Sequence, residues 1–109
     1  MRRGEIWTVA GGTDYAGKPR PAVIIQDDDF ADGDSITLCP LTSDPTVLPF
    51  IRLVIDPSAT NGLRAVSHIM VDKITTVPRS KVGSRIGRLA SRDVRGLNRA
   101  VVVFLGVAG

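Results

Sequence analysis

Residues 50–71, FIRLVIDPSATNGLRAVSHIMV, contain the pattern that decides the fold of this chain. Two apolar runs rich in β-branched residues, at 50–55 and 65–71, have the length and composition of short strands. The stretch between them is rich in turn residues and ends in Asn61-Gly62, a pair that favours a tight turn because both residues tolerate positive φ angles. This pattern predicts two strands joined by a compact turn, as in an antiparallel sheet.

Three more short strands are predicted before this pair, each bounded by turn residues. The acidic residues 27–34 are predicted to form a solvated loop, and Gly11-Gly12-Thr13-Asp14 to form a turn. The last of the three strands is expected to end at Pro40, because proline disrupts a strand interior. The predicted strands cover residues 6–9 (IWTV), 21–26 (PAVIIQ) and 35–39 (SITLC).

A helix is predicted at the C-terminal end of the chain. Ser91 is the expected N-cap, and Asp93 in the first turn suits the helix dipole. Short strands followed by one amphipathic helix predict a mainly β, α+β fold: a small, curved antiparallel barrel with the helix docked on it. At 109 residues, we expect one domain over residues 1–109. The apolar stripe of the helix recurs at helical spacing in Val94, Leu97, Val101, Phe104 and Leu105.

Composition excludes several classes of protein. The chain is 43% hydrophobic and 23% charged, which is typical of a globular domain, and no apolar run approaches the roughly 18 residues of a membrane span. We therefore expect no membrane partner, and the N-terminus lacks the pattern of an export signal. The single cysteine, Cys39, excludes an internal disulfide and fits a reducing cytoplasm. With His68 as the only histidine, a Cys/His zinc site within one chain is excluded, and we expect no cofactor.

The charge of the chain is distributed unevenly. Residues 1–54 carry five basic and eight acidic side chains, whereas residues 55–109 carry nine basic and three acidic ones. The second half therefore has a net charge of +6, which favours an anionic partner such as a nucleic acid or an acidic protein segment.

The candidate chemical groups lie at predicted strand ends. Arg20 stands between two prolines, which hold its backbone extended and give its side chain a fixed starting point. Thr42 and Ser43 follow the next strand. A fixed guanidinium and nearby hydroxyls suit a phosphate or a developing phosphorane. The alternative interpretation is that Arg20 is an ordinary exposed arginine and that Thr42 and Ser43 form a turn stabilised by a bond between a hydroxyl and the backbone. The apolar surroundings of His68 favour a structural histidine.

Five short segments follow one another along the chain: RGEIW at 3–7, RPAVII at 20–25, PLTS at 40–43, MVDKITTV at 70–77 and GRL at 87–89. In this order they resemble the MazF/PemK family of toxins from type II toxin–antitoxin systems. The resemblance covers nearly the whole chain, and it implies an SH3-like barrel with a C-terminal helix that forms a homodimer. It also implies a metal-independent endoribonuclease that cuts single-stranded RNA and leaves a cyclic phosphate and a 5′-hydroxyl.

The resemblance also implies roles for particular residues. Arg20 matches the family's catalytic arginine, and Thr42, with Ser43 beside it, matches the catalytic threonine. Asp72 matches an aspartate that some members use, although Met70 replaces the arginine that precedes it there. Because arginine stays protonated, Arg20 is expected to stabilise charge rather than transfer a proton, and either Asp72 or His68 is the candidate base. The expected RNA contacts are Trp7, Tyr15, Lys18 and Lys73; Tyr15 and Lys18 are candidates for the place of a first-loop histidine that this chain lacks.

The expected partners are an acidic antitoxin, single-stranded RNA and a second copy of the chain, with operator DNA contacted only through the antitoxin complex. Two alternatives remain. A gyrase poison of the CcdB kind shares the fold, but it acts through a tryptophan near the C-terminus, and the only tryptophan here is Trp7. A non-catalytic SH3-like module that binds RNA or peptide would give no reason for pairing Arg20 with Thr42.

Overall fold

The computed structural model describes residues 1–11, 18–44 and 52–107. In these ranges the chain forms seven strands, one α-helix and three short 3₁₀ turns. The strands are β1 Glu5–Val9, β2 Arg20–Ile24, β3 Ser35–Thr42, β4 Arg52–Ile55, β5 Ser67–Met70, β6 Thr75–Pro78 and β7 Val82–Arg88. The helix α1 is Ser91–Leu105, and the 3₁₀ turns are Asp28–Phe30, Val71–Lys73 and Arg79–Lys81.

The strands form one antiparallel sheet in the order β4-β5-β3-β2-β1-β7, and β6 adds to it by pairing with the first half of β3. In the described part of the chain β4 and β7 end this order, so the sheet resembles a small barrel without closing into one. The fold is mainly antiparallel β with one C-terminal helix, which confirms the predicted class. Strand β2 lies between β1 and β3, and β3 is shared by β2, β5 and β6.

Apolar side chains fill both faces of the sheet around β2. Val23 belongs to a cluster that includes Cys39 and Leu97 of α1, whereas its neighbours Ala22 and Ile24 belong to a second cluster with Leu38. Successive side chains of a strand point to opposite faces, so the unbroken apolar run of β2 supplies both clusters. The helix packs on the first cluster through Leu97, which is fully buried.

Pro40 lies inside β3 rather than at its end, which corrects the predicted boundary. On one side of β3, β6 pairs with residues 35–38 and β5 pairs with Leu41 and Thr42. Pro40 falls between these two pairings, where β3 changes partner. Its missing N–H therefore interrupts no ladder bond on that side.

The sequence pattern predicts neither β6 nor β7, although both are formed. β7 has the sequence VGSRIGR, in which glycine and arginine weaken the strand pattern. Gly87 has a structural reason, since a Cβ there would lie 2.4 Å from the carbonyl oxygen of Thr60. Close approach of the loop to β7 therefore requires glycine at this position.

The predicted helix is confirmed, with two differences. Ala90 is the N-cap and Ser91 is the first helical residue, so the predicted N-cap is displaced by one position; Asp93 does lie in the first turn. The predicted stripe is buried only in its first half. Phe104 and Leu105, near the C-terminal end of α1, are 42% and 55% exposed. Within the described ranges, no helix has the length and apolar character needed to cross a membrane.

The other loop predictions can be compared only in part. Residues 27–34 do form an exposed loop, apart from the half-buried Ala31. They contain one 3₁₀ turn, and Arg2 forms an ion pair with Asp28. Most of the predicted turn at 11–14 and the first two residues of the strand predicted at 50–55 lie outside the described residues.

Candidate functional site

A cleft of about 460 Å³ lies where β2 begins and β3 ends. A volume of this size is typical of small-ligand sites. The cleft brings together the three residues that the sequence singles out most strongly, Arg20, Thr42 and Ser43. Its remaining walls come from Thr8 of β1, Ile86 of β7 and the segment that precedes β5.

The pairing of β2 with β3 explains why Arg20 and Thr42 meet. Ala22 lies opposite Pro40 in this antiparallel pair, and the same register extended by two residues sets Arg20 opposite Thr42. Side chains directly opposite one another have Cβ atoms about 4.5–5.5 Å apart. Two residues 22 positions apart in the sequence are therefore brought to one place by hydrogen-bonded strands rather than by flexible loops.

Thr42 has its hydroxyl oriented by the backbone that follows it. The Asp44 N–H donates to Thr42 Oγ1 at 3.1 Å, as in an ST-turn, in which a serine or threonine hydroxyl accepts from the backbone two residues later. Since the hydroxyl accepts this bond, its own O–H is left to donate to a ligand. On the other side of β3, Thr42 pairs with His68 of β5, which is half-buried. The histidine that the sequence favours as structural thus lies on the strand next to the cleft.

A rigid loop forms the wall of the cleft opposite Arg20. Its centre is Asn61, whose side chain is almost fully buried and makes three hydrogen bonds: it accepts from the N–H groups of Ser58 and Leu63 and donates to the carbonyl of Asp56. Gly62 follows with a φ of +69°, and a Cβ there would lie 2.5 Å from the Ile86 carbonyl oxygen. The predicted Asn-Gly turn is therefore confirmed.

Sequence reasoning missed three polar residues of the cleft. They are Thr8, Arg64 and Ser67. Arg64 is exposed and stands two residues after the Asn61-Gly62 turn, and the Ser67 hydroxyl donates to the carbonyl of Ala65 at 3.0 Å. The turn signal shows that the chain reverses here, but it carries no information on which other strands the loop faces.

Asp72 is not among the residues that line the cleft, and its expected catalytic role stays a prediction. It belongs to the turn Val71–Lys73, where Arg52 donates to both of its carboxylate oxygens at 2.8 and 3.0 Å. The side chains are only 10% and 18% exposed for Arg52 and Asp72. The hydrogen bond from Arg52 lowers the pKa of Asp72. A carboxylate held in this way is a weak base, and its place in the structure is that of a structural ion pair.

Trp7 is also placed away from the cleft. Its ring packs against the second apolar cluster, and its Nε1 donates to Glu5 at 3.1 Å. Burial opposes ionisation of Glu5, but the hydrogen bonds from Arg2 N–H and Trp7, with Arg85 nearby, lower the pKa of this carboxyl overall. The geometry therefore gives Trp7 a packing role, and its expected RNA contact stays a prediction.

The other expected RNA contacts differ in position. Lys18 is exposed and directly precedes Pro19 at the edge of the cleft, whereas Lys73 is exposed beside Asp72. Tyr15 lies outside the described residues. Of these three residues, Lys18 is the one that the structure places next to Arg20.

The described part of the chain contains no group of three or more His, Cys, Asp or Glu side chains that could hold a metal ion. Cys39 is fully buried in the first apolar cluster, and burial raises the pKa of its thiol to about 12. Such a thiol stays protonated and unreactive, as expected of a small core residue. The polar side chains that line the cleft carry guanidinium and hydroxyl groups.

A small antiparallel sheet that presents fixed arginines and hydroxyls in a cleft defines a β domain suited to binding phosphate groups. The sequence pattern of the PemK-like, MazF-like toxins of type II toxin–antitoxin systems matches residues 2–105. The chain belongs to this family.

Two curated relatives are similar over almost the whole chain. The probable endoribonuclease MazF of Mycolicibacterium smegmatis is 50% identical over 109 residues and 100% of both chains. Endoribonuclease MazF9 of Mycobacterium tuberculosis is 31% identical over 117 residues, or 96% of each chain.

Solved structures share the fold. A mycobacterial endoribonuclease in complex with its cognate antitoxin matches with a TM-score of 0.83 and 17% identity, over 100% of this chain and 98% of that one. The Mycobacterium tuberculosis toxin MazF-mt6 matches with a TM-score of 0.79 and 24% identity, over 94% and 96% of the two chains. These matches agree with the arrangement of one antiparallel sheet and a C-terminal helix.

Proposed function

We propose that this protein is a metal-independent endoribonuclease toxin that cleaves single-stranded RNA through the substrate's own 2′-hydroxyl. The observation that carries the proposal is the pairing of Arg20 with Thr42 in one cleft, in a chain that is 50% identical to a probable endoribonuclease. The family match supports the toxin assignment.

The reaction needs no nucleophile from the protein. The 2′-oxygen attacks the neighbouring phosphorus, the bond from phosphorus to the 5′-oxygen breaks, and the products are a cyclic phosphate and a 5′-hydroxyl. One proton leaves the 2′-hydroxyl and one reaches the departing 5′-oxygen. Arg20 stabilises the charge that develops on the phosphorane, while Thr42 and Ser43 donate hydrogen bonds to its non-bridging oxygens.

His68 is our candidate for the group that accepts the proton of the 2′-hydroxyl. It lies opposite Thr42 in the register of β3 and β5 and is the only histidine of the chain. A ring nitrogen of an imidazole can accept a proton, whereas both carboxylate oxygens of Asp72 accept hydrogen bonds from Arg52. We therefore assign proton transfer to His68 and a structural role to Asp72.

RNA is proposed to enter the cleft past Lys18, whose exposed ammonium attracts the phosphate backbone. Tyr15 remains a predicted contact from the same connection between β1 and β2. Lys73 remains a predicted peripheral contact, since it is exposed but stands outside the lining of the cleft.

The partners follow from the family and from the surface. An acidic antitoxin fits the net charge of +6 in residues 55–109, and one structure similar to this chain is an endoribonuclease in complex with its cognate antitoxin. A homodimer is supported by the exposed apolar side chains at the end of α1, which include Phe104, Leu105 and Val107. Operator DNA is reached only through the antitoxin complex. Cleavage of cellular RNA, and hence growth inhibition, takes place in the cytoplasm.

The test is cleavage of a long RNA by the purified protein in excess EDTA, followed by sequencing of the 5′-hydroxyl ends. We expect cuts at one short motif, undiminished by EDTA. We also expect no cut in an oligonucleotide whose attacking nucleotide is replaced by its deoxy form. Loss of activity in EDTA would exclude the metal-independent mechanism, and cleavage of the deoxy substrate would exclude attack by the 2′-hydroxyl.

A further inference from the structure

We propose that Arg64 forms a second phosphate-binding subsite in the cleft, which holds a phosphodiester neighbouring the one that is cut. The inference rests on the proposed function, because it assigns a second contact to the same RNA. It assigns Arg64 to substrate binding and leaves the reacting phosphate to Arg20.

The order of the strands separates the two arginines. Arg20 begins β2, Arg64 precedes β5, and β3 lies between these strands with Thr42 at its end. Neighbouring strands are about 4.7–4.9 Å apart, so β2 and β5 are separated by roughly 10 Å where β3 lies between them. Two arginines that line one cleft, from the elements on either side of β3, suit two phosphates of one RNA strand.

The loop that carries Arg64 is fixed at its base. Asn61 is 3% exposed and is held by hydrogen bonds to Asp56, Ser58 and Leu63. Gly62 packs directly against β7, where the Ile86 carbonyl leaves no room for a Cβ. The backbone of Arg64 therefore keeps its position without a ligand, so that binding orders the side chain and not the loop.

The guanidinium of Arg64 differs from several others in the protein. Arg52, Arg79 and Arg85 each bind a carboxylate or a backbone carbonyl. In the part of the chain that the structure describes, Arg64 has no hydrogen bond or ion pair, although it lines a cleft. An uncompensated guanidinium on a held backbone in a cleft is suited to an anion, and the anion that RNA offers is its phosphodiester.

The experiment measures binding to an uncleavable 2′-O-methyl RNA oligonucleotide by fluorescence anisotropy, at several salt concentrations. Arg64→Ala should weaken binding about tenfold and lower the slope of log affinity against log salt by about one unit. Arg64→Lys should keep the slope, because an ammonium still neutralises a phosphate. Arg99→Ala removes an exposed arginine of α1 and is the matched control, for which we expect wild-type binding.

Neutral methylphosphonates then identify the phosphate. One methylphosphonate is placed at each position of the oligonucleotide in turn. At one position it should weaken binding to the wild-type protein without weakening binding to Arg64→Ala any further. Equal salt slopes for Arg64→Ala and Arg99→Ala would overturn the subsite, as would methylphosphonate effects that add fully to Arg64→Ala at every position. The second result would indicate that Arg64 contacts a base. Failure of the wild-type protein to cut ribose RNA would instead refute the proposed function, because binding is measured without cleavage.

Discussion

Replacing Asn61 with alanine tests whether the loop before β5 is as rigid as its hydrogen bonds indicate. The side chain makes three hydrogen bonds, of 2.9, 2.9 and 2.8 Å, to backbone groups of the same loop. Each is worth about 1 kcal/mol net, so Asn61→Ala should lower the free energy of unfolding by about 3 kcal/mol. For a domain of this size, that corresponds to a melting temperature roughly 10–20 °C lower.

The measurement is urea denaturation and thermal melting followed by circular dichroism. Asn98→Ala is the matched control, because Asn98 is exposed on α1, and we expect a change within about 0.5 kcal/mol. Asn61→Ala should also weaken RNA binding in the same way as Arg64→Ala, since it releases the loop that carries Arg64. A melting temperature within about 4 °C of the wild type would refute the reasoning, because the three bonds would then not hold the loop.

The remaining predictions concern the site, the ion pair and the assembly. Arg20→Ala should lower the cleavage rate by about 10²–10³ with little change in melting temperature, and Arg20→Lys should restore little, whereas Arg88→Ala should cut at the wild-type rate; a wild-type rate for folded Arg20→Ala would refute the site. Asp72→Asn should cost about 1.5–3 kcal/mol at neutral pH. Because the folded-state pKa of Asp72 is lowered, this difference should hold above the unfolded pKa of about 3.9 and disappear as pH falls through the folded one, in urea titrations; a difference that persists in acid would exclude the charge as its source. Light scattering at micromolar concentration should show a dimer, and a monomer alone would exclude the proposed interface.

The sequence predicts the fold well because most of the strands, turns and helices have a recognisable pattern within their own residues. Residues 21–26 and 65–71 have strand patterns, the Asn61-Gly62 pair marks a turn, and residues 91–105 have a helical stripe. The failures lie where tertiary context overrides the local pattern. Pro40 is tolerated inside β3 because the strand changes partner there, and β7 contains glycine because the loop at Thr60 packs against it.

The candidate site is predictable only in part, since its residues are distant in the sequence. Arg20 and Thr42 are marked by flanking prolines and by family resemblance, and the register of β2 and β3 brings them together. Arg64 has no flanking proline and lies outside the segments that resemble the family, and only the order β5-β3-β2 shows that its loop lies near Arg20. Asp72 is the converse case, because its pairing with Arg52 cannot be read from either segment alone.

The charge of the chain also cannot locate the site from the sequence alone, because a net charge identifies a kind of partner without showing where that partner binds. Residues 55–109 carry nine basic side chains, but Arg79 and Arg85 bind groups within the protein, and Arg92, Arg95 and Arg99 are exposed on α1. Arg64 is the basic residue of this half that lines the described cleft. Its partner there, Arg20, comes from the half of the chain with net negative charge. The proposed anion site is therefore a product of strand order, and it depends on the two arginines that line the cleft more than on the excess of positive charge.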